Sequence, residues 1–508
     1  MVRLGLILAS IGALSCAACA ADRGDAEVVA LDAVALRAEL AAGRLSAVRV
    51  TQAYLRRIEA LDDAGPSLAA VIEVNPEAAA IARGLDEQFL AGGVVGPLHG
   101  VPVLVKANID TADGMATSAG SLALAEHRPS ADADVVARLR AAGAVVLGKT
   151  NLSEWANFRS TASTSGWSSL GGQTRNPFVL DRNPCGSSSG AAVAVAARLA
   201  PLAVGTETDG SIVCPGAANG VVGIKPTIGI VSQRGIVPIA RSQDTAGPLA
   251  RNVADAALLL AVLVDPGMPV TAPGSPPVVA GLRIGVVRNF HGAGREPPVE
   301  AAFALALGWL QSAGAVLVDP VNAALPAEVE TAELKILLAE FRDQIGDYLA
   351  QVRRGPQTLD ELIEYNAAHA AQVMPHFGQE LLLTARDDEG TDGAGYAAAL
   401  EVVTAAREAL AKVFADHDLD VLVAPANSRA WRIDFAAGDE GRVSSSSIAA
   451  VSGYPSIVVP VDVVGELPLG VALIGKPRAE ALLLAFGEAI ERRRGPFPEP
   501  RFLPSTAD

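Results

Sequence analysis

The stretch Gly205-Thr206-Glu207-Thr208-Asp209-Gly210-Ser211-Ile212 decides how this chain is read. Its glycines punctuate a polar run that ends on a serine, so that consecutive backbone N–H groups can face one point beside a hydroxyl. Two upstream segments complete it: the serine cluster Cys185-Gly186-Ser187-Ser188-Ser189-Gly190, and Lys106 at the end of His99-Gly100-Val101-Pro102-Val103-Leu104-Val105-Lys106. Together they supply a nucleophile, a proton shuttle and a base without histidine.

Outward from these segments, short apolar runs alternate with helical patterns. Val101 to Val105 reads as a strand, Asp134 to Ala142 as a helix, Ala144 to Leu147 as a strand and Gly190 to Leu199 as a helix, which favours a layered α/β sheet. From Val29 to Leu61 apolar residues recur at helical spacing, divided into two helices by Gly43 and Ser46. Asn151 to Pro184 is a long polar loop containing Trp155, Phe158 and Trp167, more the composition of a site wall than of filler. Thr271 to Pro277 reads as a linker, and helical patterns dominate from Pro326 to about Phe414. Strands are expected again at Leu282 to Val287, Asp420 to Val423, Ser456 to Val459 and Gly470 to Ile474, and helices at Pro298 to Ala313 and Ala479 to Glu491.

Two familiar patterns fail on context. Gly143-Ala144-Val145-Val146-Leu147-Gly148-Lys149-Thr150 fits a phosphate-binding P-loop, but its inner residues are themselves a strand and cannot turn their amides toward phosphate. Gly186-Ser187-Ser188-Ser189-Gly190 fits a nucleophile elbow centred on Ser188, yet Arg182-Asn183-Pro184 precedes it where a strand is required. Zinc-hydrolase motifs of the H-E-x-x-H kind are absent, as is any serine three residues before a lysine.

The 508 residues carry a net charge of −16, which argues against nucleic acid or an anionic membrane surface as partner. Half the residues are apolar but only 4% are aromatic, and beyond the N-terminus segments such as Ala256 to Val264 are too short to cross a bilayer, so no integral membrane domain is expected. The first 21 residues have the pattern of an export signal: a charged start at Arg3, an apolar run from Leu4 to Leu14 and small residues from Ser15 to Ala21. The expected protein is periplasmic or secreted, with cleavage after Ala18-Cys19-Ala20 and lipidation at Cys16 or Cys19 as competing fates. That leaves Cys185 and Cys214, which form no disulfide framework or metal-ligand spacing; each is expected to serve as a small buried apolar residue, with their pairing left open.

The chain resembles the amidase signature family, and the resemblance runs from about Val48 to the C-terminus. It is carried by Leu98-His99-Gly100-Val101-Pro102, Gly148-Lys149-Thr150-Asn151-Leu152-Ser153-Glu154, Gly172-Gln173-Thr174-Arg175-Asn176-Pro177, Val222-Gly223-Ile224-Lys225-Pro226-Thr227 and Ser242-Gln243-Asp244-Thr245-Ala246-Gly247-Pro248, besides the three segments above. Ser153-Glu154-Trp155-Ala156-Asn157-Phe158 and Val213-Cys214-Pro215 make it most similar to the bacterial peptide amidases. The resemblance implies Ser211 as nucleophile, Ser187 as a bridging serine after an unusual cis peptide bond, and Lys106 as the final base. It implies backbone donors from Thr208, Asp209 and Gly210 for the oxyanion, and no metal or organic cofactor. The chain departs from many relatives in having Ala107 and then Asn108 after the lysine, where Asn108 can take over the orienting role.

The expected architecture is α/β, a single large domain over residues 28–500 with a mixed β-sheet core flanked by helices, its central part at about 75–265 and a helical cap region at about 326–414. The substrate is expected to be a small-molecule or peptide amide: the resemblance implies the C-terminal amide of a peptide, cleaved to acid and ammonia through an acyl-enzyme, with a general aliphatic or aryl amidase, or a catalytically silent binding protein of the same fold, as the alternatives; the sequence specifies no oligomeric state. Trp155, Asn157 and Phe158 are expected in the substrate wall. For Glu207 and Asp209 contact with substrate and hydrogen bonding within the loop remain equal readings, and capping of the helix near Gly190 falls to Ser188 or Ser189.

Overall fold

A computed structural model describes residues 24–267, 278–323 and 325–506. The expected export signal and the expected linker lie outside these residues.

The described strands are β1 (Val71–Val74), β2 (Pro102–Lys106), β3 (Val145–Thr150), β4 (Trp167–Ser168), β5 (Gly172–Gln173), β6 (Leu202–Glu207), β7 (Val222–Lys225), β8 (Thr245–Ala250), β9 (Arg283–Val287), β10 (Val316–Val321), β11 (Val421–Pro425), β12 (Ser456–Val464) and β13 (Leu467–Gly475). Eleven of them form one mixed sheet in the order β1-β3-β2-β6-β8-β7-β12-β13-β11-β9-β10, while β4 and β5 make a small separate ribbon. β2 runs parallel to both β3 and β6; β8 returns antiparallel between β6 and β7. The central strands β2, β3, β6, β7 and β8 are buried along their whole length, which is why β2 and β3 read as short continuous apolar runs rather than as alternating ones.

β6, β7 and β8 had no strand assignment in the sequence, because glycine, proline and threonine interrupt them. The glycines are there for contact between chain segments: a Cβ on Gly247 would collide with the Ile224 carbonyl of the neighbouring strand, and one on Gly205 would stand 2.8 Å from Ser188 Oγ. Among the described residues the N-terminal part has three α-helices rather than two, Asp25–Ala30, Ala33–Ala41 and Ala47–Ile58. The additional break falls at Asp32, whose carboxylate accepts the Ala35 N–H as an N-cap, and Ser46 caps the third helix in the same way.

Helices cover the sheet. Ser189–Ala196, buried at every position, and Val253–Leu263 both lie against β6 and β8, while Pro297–Ser312 and Glu480–Arg494 lie against β12 and β13. Residues 327–416 contain the helices Ala327–Leu349, Leu359–Ala368, Ala370–Val373, Glu380–Arg386 and Ala394–Asp416. None of the described helices is long and apolar enough to cross a membrane.

Two links tie loops to this frame. Cys185 and Cys214 form a disulfide across 29 residues of sequence, so they are not the two separate apolar fillers expected; the turn at Cys185 (φ +57°) and the start of the helix Val213–Ala218 bring their Cα atoms to 6.0 Å. Arg159 forms a fully buried ion pair with Glu154 at 2.6 Å, donates to the Val373 and Phe377 carbonyls, and stands 4.3 Å above the Phe377 ring.

Removing one member of a fully buried pair leaves an uncompensated charge, so Arg159→Ala is expected to lower the unfolding free energy by about 3–5 kcal/mol, read from urea midpoints, whereas Arg386→Ala at the exposed Arg386–Asp387 pair leaves the midpoint in place. In a non-reducing digest the Cys185 and Cys214 peptides remain joined, and replacing both by serine costs about 3–4 kcal/mol from loop closure alone.

Candidate active site

Lys106 is the last residue of β2, and Glu207 is the last of its parallel neighbour β6. Parallel pairing therefore brings the lysine and the loop from Thr208 to Ser211 to the same end of the sheet, where crevices form in open α/β folds. The loop before the helix Ser189–Ala196 closes over this end. Its Gly186–Ser187 peptide is cis, and the Ser188 N–H donates to the Ser211 carbonyl at 3.0 Å, which fastens the two serine-bearing segments side by side.

The Lys106 amine is fully buried and meets neutral groups: Ser187 Oγ at 2.7 Å, Thr206 Oγ1 at 2.8 Å and the Thr206 carbonyl at 3.3 Å. Burial pulls its pKa down to about 7, against the more distant pull of Asp244 and Glu207. Asn108 donates through Nδ2 to the same Thr206 Oγ1 at 3.0 Å. Thr206 thereby holds both residues, a role the sequence did not mark. No sequence signal could have found it, because β6 had no strand assignment and its register against β2 exists only in the fold.

In the neighbouring loop, Glu207 Oε2 accepts the N–H groups of Ile212 at 2.7 Å and Val213 at 3.0 Å. That fixes the turn through Ser211 and places a carboxylate at the N-terminus of the helix Val213–Ala218. Glu207 thus has the structural of its two readings. Gly210 takes φ +78°, and a Cβ there would lie 3.0 Å from Ser446 Oγ, so glycine satisfies both the backbone and the space. The N–H groups of Asp209, Gly210 and Ser211 donate to no protein acceptor among the described residues, leaving them available to an oxyanion. Thr208 Oγ1 donates to Asp244 Oδ1 at 2.6 Å, and Asp209 Oδ2 accepts from Ser447 Oγ at 2.6 Å.

Neither Ser188 nor Ser189 caps its helix. Ser188 Oγ donates to the Thr206 carbonyl and accepts the Thr206 N–H, tying the loop to β6, and Ser189 Oγ donates to the Cys185 carbonyl at 2.6 Å. Both hydroxyls are spent on joining segments, which competes with capping.

Trp155, Ala156 and Asn157 form a run of three residues with positive φ. Trp155 and Phe158 pack into an apolar cluster with Ile345 and Phe341, the Phe158 and Phe341 rings lying 4.9 Å apart, and Asn157 Nδ2 donates to Ser165 Oγ at 3.0 Å. Ala156 is the member of this stretch that lines a cavity of about 350 Å³ shared with Asn108, Thr206 and Thr208. A further organiser, Asp439, accepts from the Ser165 N–H, Asn183 Nδ2 and Trp431 Nε1. It stands more than 250 residues from Asn183, and no local pattern announced it.

A buried amine near neutrality, a hydroxyl within hydrogen-bond reach of it, and a second serine on the loop fastened to that segment, with free amides next to it, make a constellation suited to acyl transfer. The sequence profile of the Amidase family matches residues 49–484. The native peptide amidase of Stenotrophomonas maltophilia is 46% identical and superposes with a TM-score of 0.86, over 93% of this chain and 98% of that one. A "Probable amidase" of Arabidopsis thaliana is 36% identical over 481 residues, 89% of this chain and 88% of that protein. The A component of the glutamyl-tRNA(Gln) amidotransferase of Salinispora arenicola is 36% identical over 501 residues, 93% of this chain and 99% of that component. The chain belongs to the amidase signature family and is an amidase, a hydrolase of linear amide C–N bonds.

Proposed function

We propose that this protein is an exported serine amidohydrolase that converts the C-terminal carboxamide of peptides to acid and ammonia, with Ser211 as nucleophile, Ser187 as proton shuttle and Lys106 as base. The observation that carries this reading is the 2.7 Å contact between Lys106 Nζ and Ser187 Oγ at a fully buried lysine.

Ser211 Oγ attacks the amide carbon and gives its proton to Ser187, whose own proton passes to neutral Lys106. The oxyanion meets the N–H groups of the Thr208–Ser211 turn, each essential donor being worth about 3–4 kcal/mol. The same relay in reverse protonates the leaving nitrogen, the C–N bond breaks and ammonia departs. Water then attacks the acyl-enzyme, losing a proton to the relay, and regenerates Ser211 as the acid is released.

The peptide-amide substrate rests on the likeness to a peptide amidase over nearly the whole chain. Export rests on the first 21 residues and on the Cys185–Cys214 disulfide, a bond that persists in oxidising compartments. Both weigh against service in a cytosolic amidotransferase.

Ammonia release from a C-terminally amidated dipeptide, beside a simple aliphatic amide, tests the reading. Lys106→Ala is expected to lower kcat/KM about 10²–10⁴-fold and Ser211→Ala at least as much; activity confined to the aliphatic amide discards the peptide substrate, and activity surviving both substitutions overturns the assignment. Because the base must be neutral, kcat/KM is expected to fall about tenfold per pH unit as the pH drops below the Lys106 pKa of about 7 and to level off above it.

A further inference from the structure

Beside the helix Ala327–Leu349 a cavity of about 490 Å³ reaches the loop that carries Ser211, with Asp209 in its wall. It shares no lining residue with the cavity next to Asn108 and Thr206. Glu330, which is exposed, and Glu333, one helical turn further on and only 8% exposed, line it together with Asp209. No lysine or arginine lines it among the described residues. Phe290, Val329 and Ile448 supply apolar wall between the acids.

The acids are not fully used within the protein. Glu333 Oε1 accepts from Gln243 Nε2 at 2.7 Å, while Oε2 has no protein donor among the described residues. Asp209 Oδ2 accepts from Ser447, and Oδ1 is buried without a partner. Burial holds both carboxyls above their ordinary range, and Asp209 pushes Glu333 further in the same direction. Lys225, the cation that acts on Asp209, is shared with Glu207 and Glu480. Asp209 Oδ1, a buried acceptor oxygen without a donor, is costly to leave so, and a cation entering the cavity would satisfy it.

Asp209 precedes Ser211 by two residues, at most about 7 Å between Cα atoms. A group held against Asp209 therefore sits on the same loop as Ser211. We infer that this cavity is an acyl-side subsite for a cationic group on an alkyl stem, an ammonium or guanidinium received by Glu333 and Asp209, with the stem along Phe290, Val329 and Ile448. The subsite rests on the reading of Ser211 as nucleophile, and it narrows the substrate class to amides of basic residues.

Two substrate pairs test it: Nα-acetyl-lysinamide against the nearly isosteric Nα-acetyl-norleucinamide, and 5-aminopentanamide against pentanamide. In the unaltered protein the charged member of a pair is expected to have the higher kcat/KM by roughly tenfold or more, the scale of one charge-assisted hydrogen bond. That ratio should fall toward one in Glu333→Gln, which keeps a side-chain oxygen for Gln243, and fall part of the way in Glu330→Gln at an exposed position where folding is not at stake. Equal turnover within the pairs, or a preference that survives both substitutions, overturns the subsite. Hydrolysis of pentanamide but of neither acetylated amino-acid amide would remove the peptide reading, and the ratio in the aliphatic pair would still decide the subsite.

Discussion

A primary amine closed off from water and faced by hydroxyls and a carbonyl, rather than by a carboxylate, is the condition around which the rest of this structure is arranged. Bringing the Lys106 pKa from 10.5 to about 7 corresponds to roughly 5 kcal/mol of differential interaction. A carboxylate in contact would recover much of that and leave a permanent ammonium, useless as a base. The protein keeps its acids one step away: Asp244 is occupied by Thr208, Ile239 and Ala240, and Glu207 by Ile212 and Val213. Lys149 and Lys225, also fully buried, are less displaced, at about 8 each, and each is acted on by several acids.

Other acids likewise act as anchors for backbone. Asp62 accepts the amides of Ala70 and Val71, Asp86 those of Ala47 and Val48, Asp255 those of Ala33 and Val34. Each holds two consecutive N–H groups of another segment, eight residues on for Asp62 and far along the chain for Asp86 and Asp255, where a carboxylate makes stronger hydrogen bonds than a neutral acceptor. Part of the chain's acidic excess is therefore internal, used to pin loops over a sheet whose central strands offer no free edge.

What could be read in the sequence was what is local. Lys106, Ser187 and Ser211 sit in dense, ordered segments, and the apolar runs of β2 and β3 announced their strands. β6 to β8 escaped notice because close packing between strands put glycine where a β-former would otherwise stand, as at Gly247. Asp439 and the Cys185–Cys214 link depend on segments brought together only by the finished fold. The aromatics of the Asn151–Pro184 loop show the same ambiguity from the other side. Trp155 and Phe158 anchor that loop to the helix Ala327–Leu349, and in composition an anchoring aromatic does not differ from one that meets a ligand.

The strand β2 is hydrogen-bonded on both sides, with Val103 to Val105 set against Leu202 to Val204 and the strand β3 on the other edge. In a strand, a slip of one residue sends every side chain to the opposite face. Here it would carry the amine through the sheet, away from Ser187, and a valine would take its place. Such a slip requires two ladders to break together, so the alignment that makes the chemistry is a property of the whole sheet. Heat or denaturant should then abolish turnover and global structure as one event, with no population of chains that are folded yet misaligned.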